Sequence, residues 1–209
     1  SFPTRRSSDL FYITREGIER SKEWEKLYGG KVGKNDPTVY GRDWYLDANN
    51  RKIGVRHYDP YDYLVKDVAV AQTHNVSVNG KSGKTTFNIG LGYLDQDGMN
   101  KAAKEDNFKR YNASINLTTE FNKWITLKAG AIYSKREKSY PYNATGVFDP
   151  WYYCYRWSDI YPMGTDENGN ELRSPASEFS QANTAKMTRN YTNINMGLHL
   201  NILKGWTAD

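Results

Sequence analysis

Residues 72–98, QTHNVSVNGKSGKTTFNIGLGYLDQDG, alternate in character strictly enough to constrain the fold. Beyond the GKSG at Gly80–Gly83, Phe87, Ile89, Leu91 and Tyr93 take every second position, with Thr86, Asn88, Gly90 and Gly92 between them. Successive side chains of a strand point to opposite faces, so this spacing predicts two β-strands around a tight turn, apolar on one face and polar on the other.

Further segments repeat the period. In 73–79, Val76 and Val78 share a face. In 108–118, Tyr111, Ala113, Ile115 and Leu117 oppose Arg110, Asn112, Ser114, Asn116 and Thr118. In 124–135, Ile125, Leu127, Ala129, Ala131 and Tyr133 oppose Thr126, Lys128, Gly130 and Ser134, with Ile132 breaking the rule. In 191–202, Thr192, Ile194, Met196, Leu198, Leu200 and Ile202 oppose Asn193, Asn195, Gly197, His199 and Asn201. The set favours antiparallel β over helix.

The connections alternate in length: Gly80–Gly83 is short, 95–106 longer, 119–123 short, 136–187 very long, and Leu203–Gly205 short. Outer-membrane barrels show this parity, with tight turns on one side and long loops on the other. A structureless loop as long as 136–187 would be out of place in a compact soluble domain.

Composition excludes several classes. No run of ~18 apolar residues is present, so no transmembrane helix is expected. A β-barrel needs only alternate residues to be apolar and stays open. The formal net charge of +5 is spread along the chain without a basic run, which argues against a nucleic-acid partner. Cys154 stands alone and has no cysteine partner for a disulfide or a metal site. The first ten residues, SFPTRRSSDL, read as one translated frame of a common short-read sequencing adapter. They are expected to be foreign, with the native chain cut before about Phe11 and again near Asp209.

Aromatic residues gather near the predicted strand ends: Tyr93, Tyr111, Phe121, Trp124, Tyr133, Tyr191 and Trp206. Such amphipathic rings suit a water–lipid interface, although Tyr and Trp also simply favour strands. Periodicity alone does not say whether the apolar face points into a soluble core or out to lipid. Five or six strands cannot close a membrane barrel, whose smallest form has about eight. The expected fold class is all-β, an antiparallel transmembrane β-barrel fragment of about five to six strands of a larger plugged barrel with long external loops.

Two motifs carry a family resemblance: THNVSVNGKSGKTTFNIGLGYLDQDG, then DNFKRYNASINLTTEFNKWITLKAGAIYS at 106–134. Together they resemble barrel hairpins of the SusC/RagA-like TonB-dependent outer-membrane transporters. The resemblance runs from about Asp62 to Asp209 and is looser before it. It implies a partial receptor barrel over 62–209 and an extracellular or inter-strand segment over 11–61. Barrels of this kind have about 22 strands and a plugged lumen. The resemblance also implies import of glycans, oligosaccharides or peptides, energised through TonB beneath a SusD-like surface lipoprotein. The place would be the outer membrane of a Gram-negative bacterium, among its lipid. The family's plug, TonB-contacting box and signal peptide are not recognisable in these residues. A porin or adhesin barrel and a soluble carbohydrate-binding β-sandwich are the rival readings.

Within the long loop, Trp151, Tyr152, Tyr153, Tyr155, Arg156 and Trp157 form the candidate contact with a ligand or partner. Rings stack on sugars and a guanidinium bonds hydroxyls or carboxylates. The competing reading has these rings packing the loop against itself or against a lid protein. Asp166–Glu171 resembles the start of a calcium loop, but Glu171 and Ser177 stand where the closing glycine and glutamate belong. A hairpin turn through Asn168–Gly169 fits better. A second hairpin is expected over Trp44–Val55, turning at Asp47–Asn50. A short helix is expected over Thr14–Tyr28, capped by Thr14, ended by Gly29 and Gly30, with Ile18, Trp24, Leu27 and Tyr28 as its apolar stripe. His57, His74 and His199 are scattered, and no nucleophile elbow or zinc motif appears. No catalytic, cofactor or metal residue is expected.

Overall fold

The computed structural model describes residues 11–142, 150–203 and 206–208. The adapter-like residues 1–10 lie outside that set. Contacts divide the chain into two units that do not follow chain order. One gathers the residues up to Val68 with 99–105 and 141–184; the other takes 69–98, 106–140 and the residues from Ala185 onward.

In the first unit, β1 (Phe11–Tyr12) is followed by α1 (Arg15–Tyr28). Thr14 caps α1, its Oγ1 accepting from the Gly17 amide at 3.0 Å, and Gly30 leaves the helix at a φ of 74°. The packed stripe differs from the expected one. Ile18 and Leu27 are exposed, and Gly17, Ser21 and Trp24 form the buried line. A Cβ on Gly17 would stand 2.7 Å from Ile53 Cγ2, so the helix approaches β3 (Lys52–Gly54) through its smallest residue. β3 pairs parallel with β1 and antiparallel with β2 (Trp44–Leu46). The β2–β3 turn lies where expected. Asp47 Oδ1 accepts from the amides of Asn49 and Arg51 at 2.9 and 2.8 Å, and Asn50 takes the left-handed conformation that asparagine tolerates.

A buried carboxylate organises this region. Asp43 is fully buried and accepts from Trp24 Nε1 (3.0 Å), the Val39 amide (2.9 Å) and Arg42 Nε and Nη2 (2.9 and 2.7 Å). Arg56, also buried, lies 3.6 Å from the same carboxylate and donates to the carbonyls of Gly33 and Asp36. A buried charge is tolerable only when paired and bonded in this way.

A hydrophobic core of Tyr58, Leu64, Val65, Met163 and Phe179 completes the unit. It draws on α2 (Pro60–Leu64) and on the long segment expected to be an open loop. That segment holds α3 (Pro150–Arg156) and α4 (Pro175–Gln181), the latter closed by a capping box between Ser174 and Ser177. The all-β expectation therefore describes the second unit and not the first, although the chain is mostly β.

The second unit is one six-stranded sheet in chain order: β4 (Ala71–Ser82), β5 (Thr85–Asp97), β6 (Asn107–Glu120), β7 (Ile125–Pro141), β8 (Thr184–Leu203) and β9 (Trp206–Ala208). Its strands outrun their alternating cores, because ladder hydrogen bonds continue where the side chains become charged. Ser82 pairs with Thr85, which leaves Gly83 and Lys84 as a two-residue turn with Gly83 at a φ of 60°.

Asp43→Ala is expected to destabilise the first unit by about 3–5 kcal/mol, because Arg42 and Arg56 lose their shared partner. Thermal unfolding followed through Trp24, whose indole bonds Asp43, measures it; an unchanged transition would contradict the assigned role.

Candidate functional site

The sheet offers the chain's most unusual surface. None of the buried hydrophobic residues among those described belongs to it; all lie in the other unit. Its own apolar side chains are exposed in aligned rungs. Val76, Leu91, Ala113 and Tyr133 form one rung, and Val78, Ile89, Ile115 and Ala131 the next. Ile194 and Met196 of β8 are 72% and 73% exposed. From the rung through Phe87 to the rung through Gly92, β4 to β7 place no charged side chain on either face. On the apolar face the uncharged band reaches from the Thr85 rung to the Tyr93 rung in β4 to β6, ~27 Å at ~3.4 Å per residue, and in β7 Lys135 ends it one rung earlier. A membrane-crossing strand needs ~9–11 residues.

The aromatic residues fall at the margins of this band. His74, Tyr93, Tyr111 and Lys135 share one rung, with Tyr93 and Tyr111 ring centroids 5.1 Å apart. Tyr133 stands one rung further in on the same face. Phe121 and Trp124, both more than half exposed, occupy the short β6–β7 turn at the other end. Charge enters the tyrosine rung with Lys135, and beyond it come Asp95, Lys109 and Glu137. Tyr191 departs from this arrangement. Its hydroxyl accepts from Asn193 Nδ2 at 3.2 Å, which places it on the asparagine face and not in an outward row. The Trp206 side chain lies outside the described residues.

The opposite face is a lattice of amides and hydroxyls. Asn79, Asn88, Asn116 and Gly130 make one rung, in which Asn88 Nδ2 donates to Asn79 Oδ1. Asn75, Gly92, Asn112 and Ser134 make another, in which Ser134 Oγ donates to Asn112 Oδ1 at 2.8 Å. Neighbouring side chains lie across the glycines: a Cβ on Gly92 would stand 2.8 Å from Asn75 Oδ1, and one on Gly130 would strike Asn195.

The aromatic run in α3 divides in two. Tyr153, Cys154 and Trp157 pack against the hydrophobic core. Tyr153 meets Phe179 edge-on at 5.8 Å, and Trp157 Nε1 donates to the Tyr161 carbonyl at 3.3 Å. Trp151, Tyr155 and Arg156 are exposed. Arg156 is partly engaged, its Nε donating to Tyr152 Oη at 3.2 Å. Two of the six expected contact residues, Tyr153 and Trp157, therefore serve the core.

Asp166–Glu171 is a turn. Asp166 Oδ1 accepts from the amides of Asn168 and Asn170, Oδ2 from Asn170 Nδ2, and Gly169 sits at a φ of 80°. Bonds from the Asn170 side chain and amide hold the Asp166 carboxyl below its ordinary range. Among the described residues, no three His, Cys, Asp or Glu side chains are grouped to hold a metal ion.

One constellation was not visible in the sequence. Ser21 Oγ lies 2.6 Å from His57 Nε2, and His57 Nδ1 lies 3.0 Å from Asp159 Oδ2. The connectivity matches a Ser–His–Asp triad. Ser21, however, is buried inside α1, where interior amides are committed to the carbonyl four residues back. The interior amides of α1 are therefore not offered to an oxyanion. The chain of bonds joins the helix to the segments around His57 and Asp159. Only a fold that brings residues 21, 57 and 159 together discloses it.

The second unit is thus a single-layer antiparallel sheet with one apolar and one polar face. Among the described residues no helix is long and apolar enough to cross a membrane, which says nothing of crossing by strands. No family model matches the chain. Over 132 residues, 57% of this chain, it is 32% identical to the TonB-dependent receptor SusC of Bacteroides thetaiotaomicron. The match spans 13% of that protein, so the chain is similar to a small part of a TonB-dependent receptor.

Trp157→Ala is expected to destabilise the first unit by about 2–3 kcal/mol, whereas Tyr155→Ala changes stability by no more than about 0.5 kcal/mol. Chemical denaturation of the two variants compares them directly; equal effects would contradict the division. The folded Asp166 carboxyl titrates lower than the unfolded one. Its support for the turn is complete above the unfolded value and is lost as pH falls through the folded one. Exchange of the Asn168 and Asn170 amides is expected to accelerate across that acid range.

Proposed function

We propose that this chain is part of the barrel wall of an outer-membrane importer. The observation that carries the reading is the uncovered apolar face. A sheet with ordered apolar rungs and no buried hydrophobic side chain among its described residues needs another apolar phase against that face. The uncharged band, ~27 Å in β4 to β6 and edged by Tyr93, Tyr111 and Tyr133 at one end and Phe121 and Trp124 at the other, suits the hydrocarbon layer and its interfaces. Short turns at one end of the strands and long connections at the other suit the same placement. In this reading the asparagine face looks into the lumen, and the open sheet is completed by further strands of the same barrel.

The similarity to SusC supports the finer reading. The importer takes up glycans, oligosaccharides or peptides, draws its energy through TonB, and is capped by a SusD-like lipoprotein. This piece supplies wall and external loops and performs no catalysis. Exposed Trp151, Tyr155 and Arg156 are the residues of the aromatic run open to a ligand or lid.

The test places one cation on each face in the full-length protein. Leu91→Arg and Ile115→Arg put a charge against lipid, at about 2–4 kcal/mol each near the bilayer midplane. Both are expected to deplete the folded, heat-modifiable form in outer membranes, while Ser77→Arg and Thr86→Arg, at exposed positions of the opposite face, leave it largely intact. Equal sensitivity of the two faces would overturn the assignment of lipid and lumen sides.

A further inference from the structure

The two faces of the sheet differ in charge as well as in polarity. On the apolar face, carboxylates and ammonium groups occur together: Asp95 pairs with Lys109 at 3.7 Å and Glu137 with Lys135 at 2.7 Å. On the asparagine face, every charged side chain within the paired lengths of β4 to β7 is a cation, apart from Glu120 at the turn end of β6. Lys81 and Lys128 lie toward that end; Arg110, Arg136 and Lys138 lie toward the long connections.

Arg110 and Arg136 are direct cross-strand partners. Like charges set opposite one another are unfavourable unless something else satisfies them. A third arginine joins them. β8 borders β7, the Asn201 amide donates to the Trp124 carbonyl at 2.8 Å, and Asn195 lies over Gly130. Counting along the strands from either contact brings Arg189 opposite Arg136, on the same face. The Nε of Arg110 is buried without a hydrogen-bond partner. The next carboxylate on this face along β6 toward the long connections is Asp106, four residues on, ~13 Å along the strand. The same-face rung on the turn side carries Asn75, Asn112 and Ser134, donors and acceptors matched to hydroxyl groups, and the rung on the other side carries Gln96, Phe108 and Lys138.

We propose that the rung of Arg110, Arg136 and Arg189, with Lys138, is a binding site for an acidic oligosaccharide. The guanidinium groups take its carboxylate or sulfate groups, and the Asn and Ser rungs take its hydroxyls. Guanidinium groups bind such anions through paired N–H donors, and rings of cationic side chains select anions in pores. The proposal rests on the reading of the asparagine face as the lumen side and names the class of cargo that this side favours.

The test uses the full-length protein folded in detergent, with calorimetric titration of an oligogalacturonate and of a neutral malto-oligosaccharide of equal length. The acidic ligand is expected to bind about tenfold or more tightly than the neutral one, and more weakly as salt rises. The Arg110→Gln, Arg136→Gln, Arg189→Gln triple variant is expected to lose that preference. The corresponding triple Lys variant, which keeps the charge, is expected to retain much of it. Retention of heat-modifiable mobility shows that each variant is folded. Equal binding of both sugars, no binding of either, or an unchanged preference in the folded Gln variant would overturn the proposal. So would a Gln variant that unfolds while the Lys variant keeps its fold without preferring the acidic sugar, because the arginines would then pair with carboxylates of the protein itself. An oligoglutamate that binds where oligogalacturonate does not would overturn the assigned occupant. Recovery of the wild-type protein from the soluble fraction would instead remove the wall reading, so the two failures are distinguishable.

Discussion

A slip of one residue between β5 and β6 would carry Phe87, Ile89 and Leu91 onto the face now held by Asn112, Ser114 and Asn116. The register of these long ladders therefore decides what each face of the sheet can be. Specific contacts pin it on the polar side. Asn88 bonds Asn79 across one ladder, Ser134 bonds Asn112 across another, and the asparagine side chains lie in the spaces that glycines leave. On the apolar side, Tyr93 and Tyr111 meet as tilted rings across the same ladder that aligns Leu91 with Ala113. The charged rungs beyond Tyr93 continue the pairing without continuing the alternation, and that change bounds the band.

The first unit is held by a different physical device. Its carboxylate at Asp43 and guanidinium at Arg56 are both buried, and each is satisfied by several bonds. Such a cluster fixes geometry more firmly than it adds net stability, because desolvation opposes the attraction. Around it, α1 approaches β3 through Gly17, and the hydrophobic core is assembled from Tyr58, Leu64, Met163 and Phe179, far apart in the chain. The residues between β7 and β8 supply part of that core, which is why a segment without periodicity in the sequence acquires two helices and a tight turn.

Much of the sheet was legible because its signal is local. A period of two needs only neighbours in sequence, and the turns are marked by Gly83 and by the stretch before Trp124. The hairpin at Asp47–Asn50 and the cap at Thr14 were legible for the same reason, since each is closed by bonds within a few residues. The packed face of α1 was not legible. Hydrophobicity pointed to Ile18 and Leu27, whereas proximity to Ile53 selected Gly17 and Ser21. Tyr191 was misplaced because its aromatic character outweighed its parity, which sets it with Asn193. The aromatic run at 151–157 revealed ring chemistry but not which rings the core would claim.

The sequence by itself determined the strands, their two-faced character, the short turns and the helix cap, because these depend on the spacing of neighbouring residues and on local hydrogen bonds. Only the tertiary structure decided the sharing of the chain between two units and the burial of Asp43 with Arg56. It alone aligned the arginines of three strands in one rung and joined Ser21, His57 and Asp159. Those features depend on which distant segments lie side by side, and register and packing set that on a scale that no local period encodes.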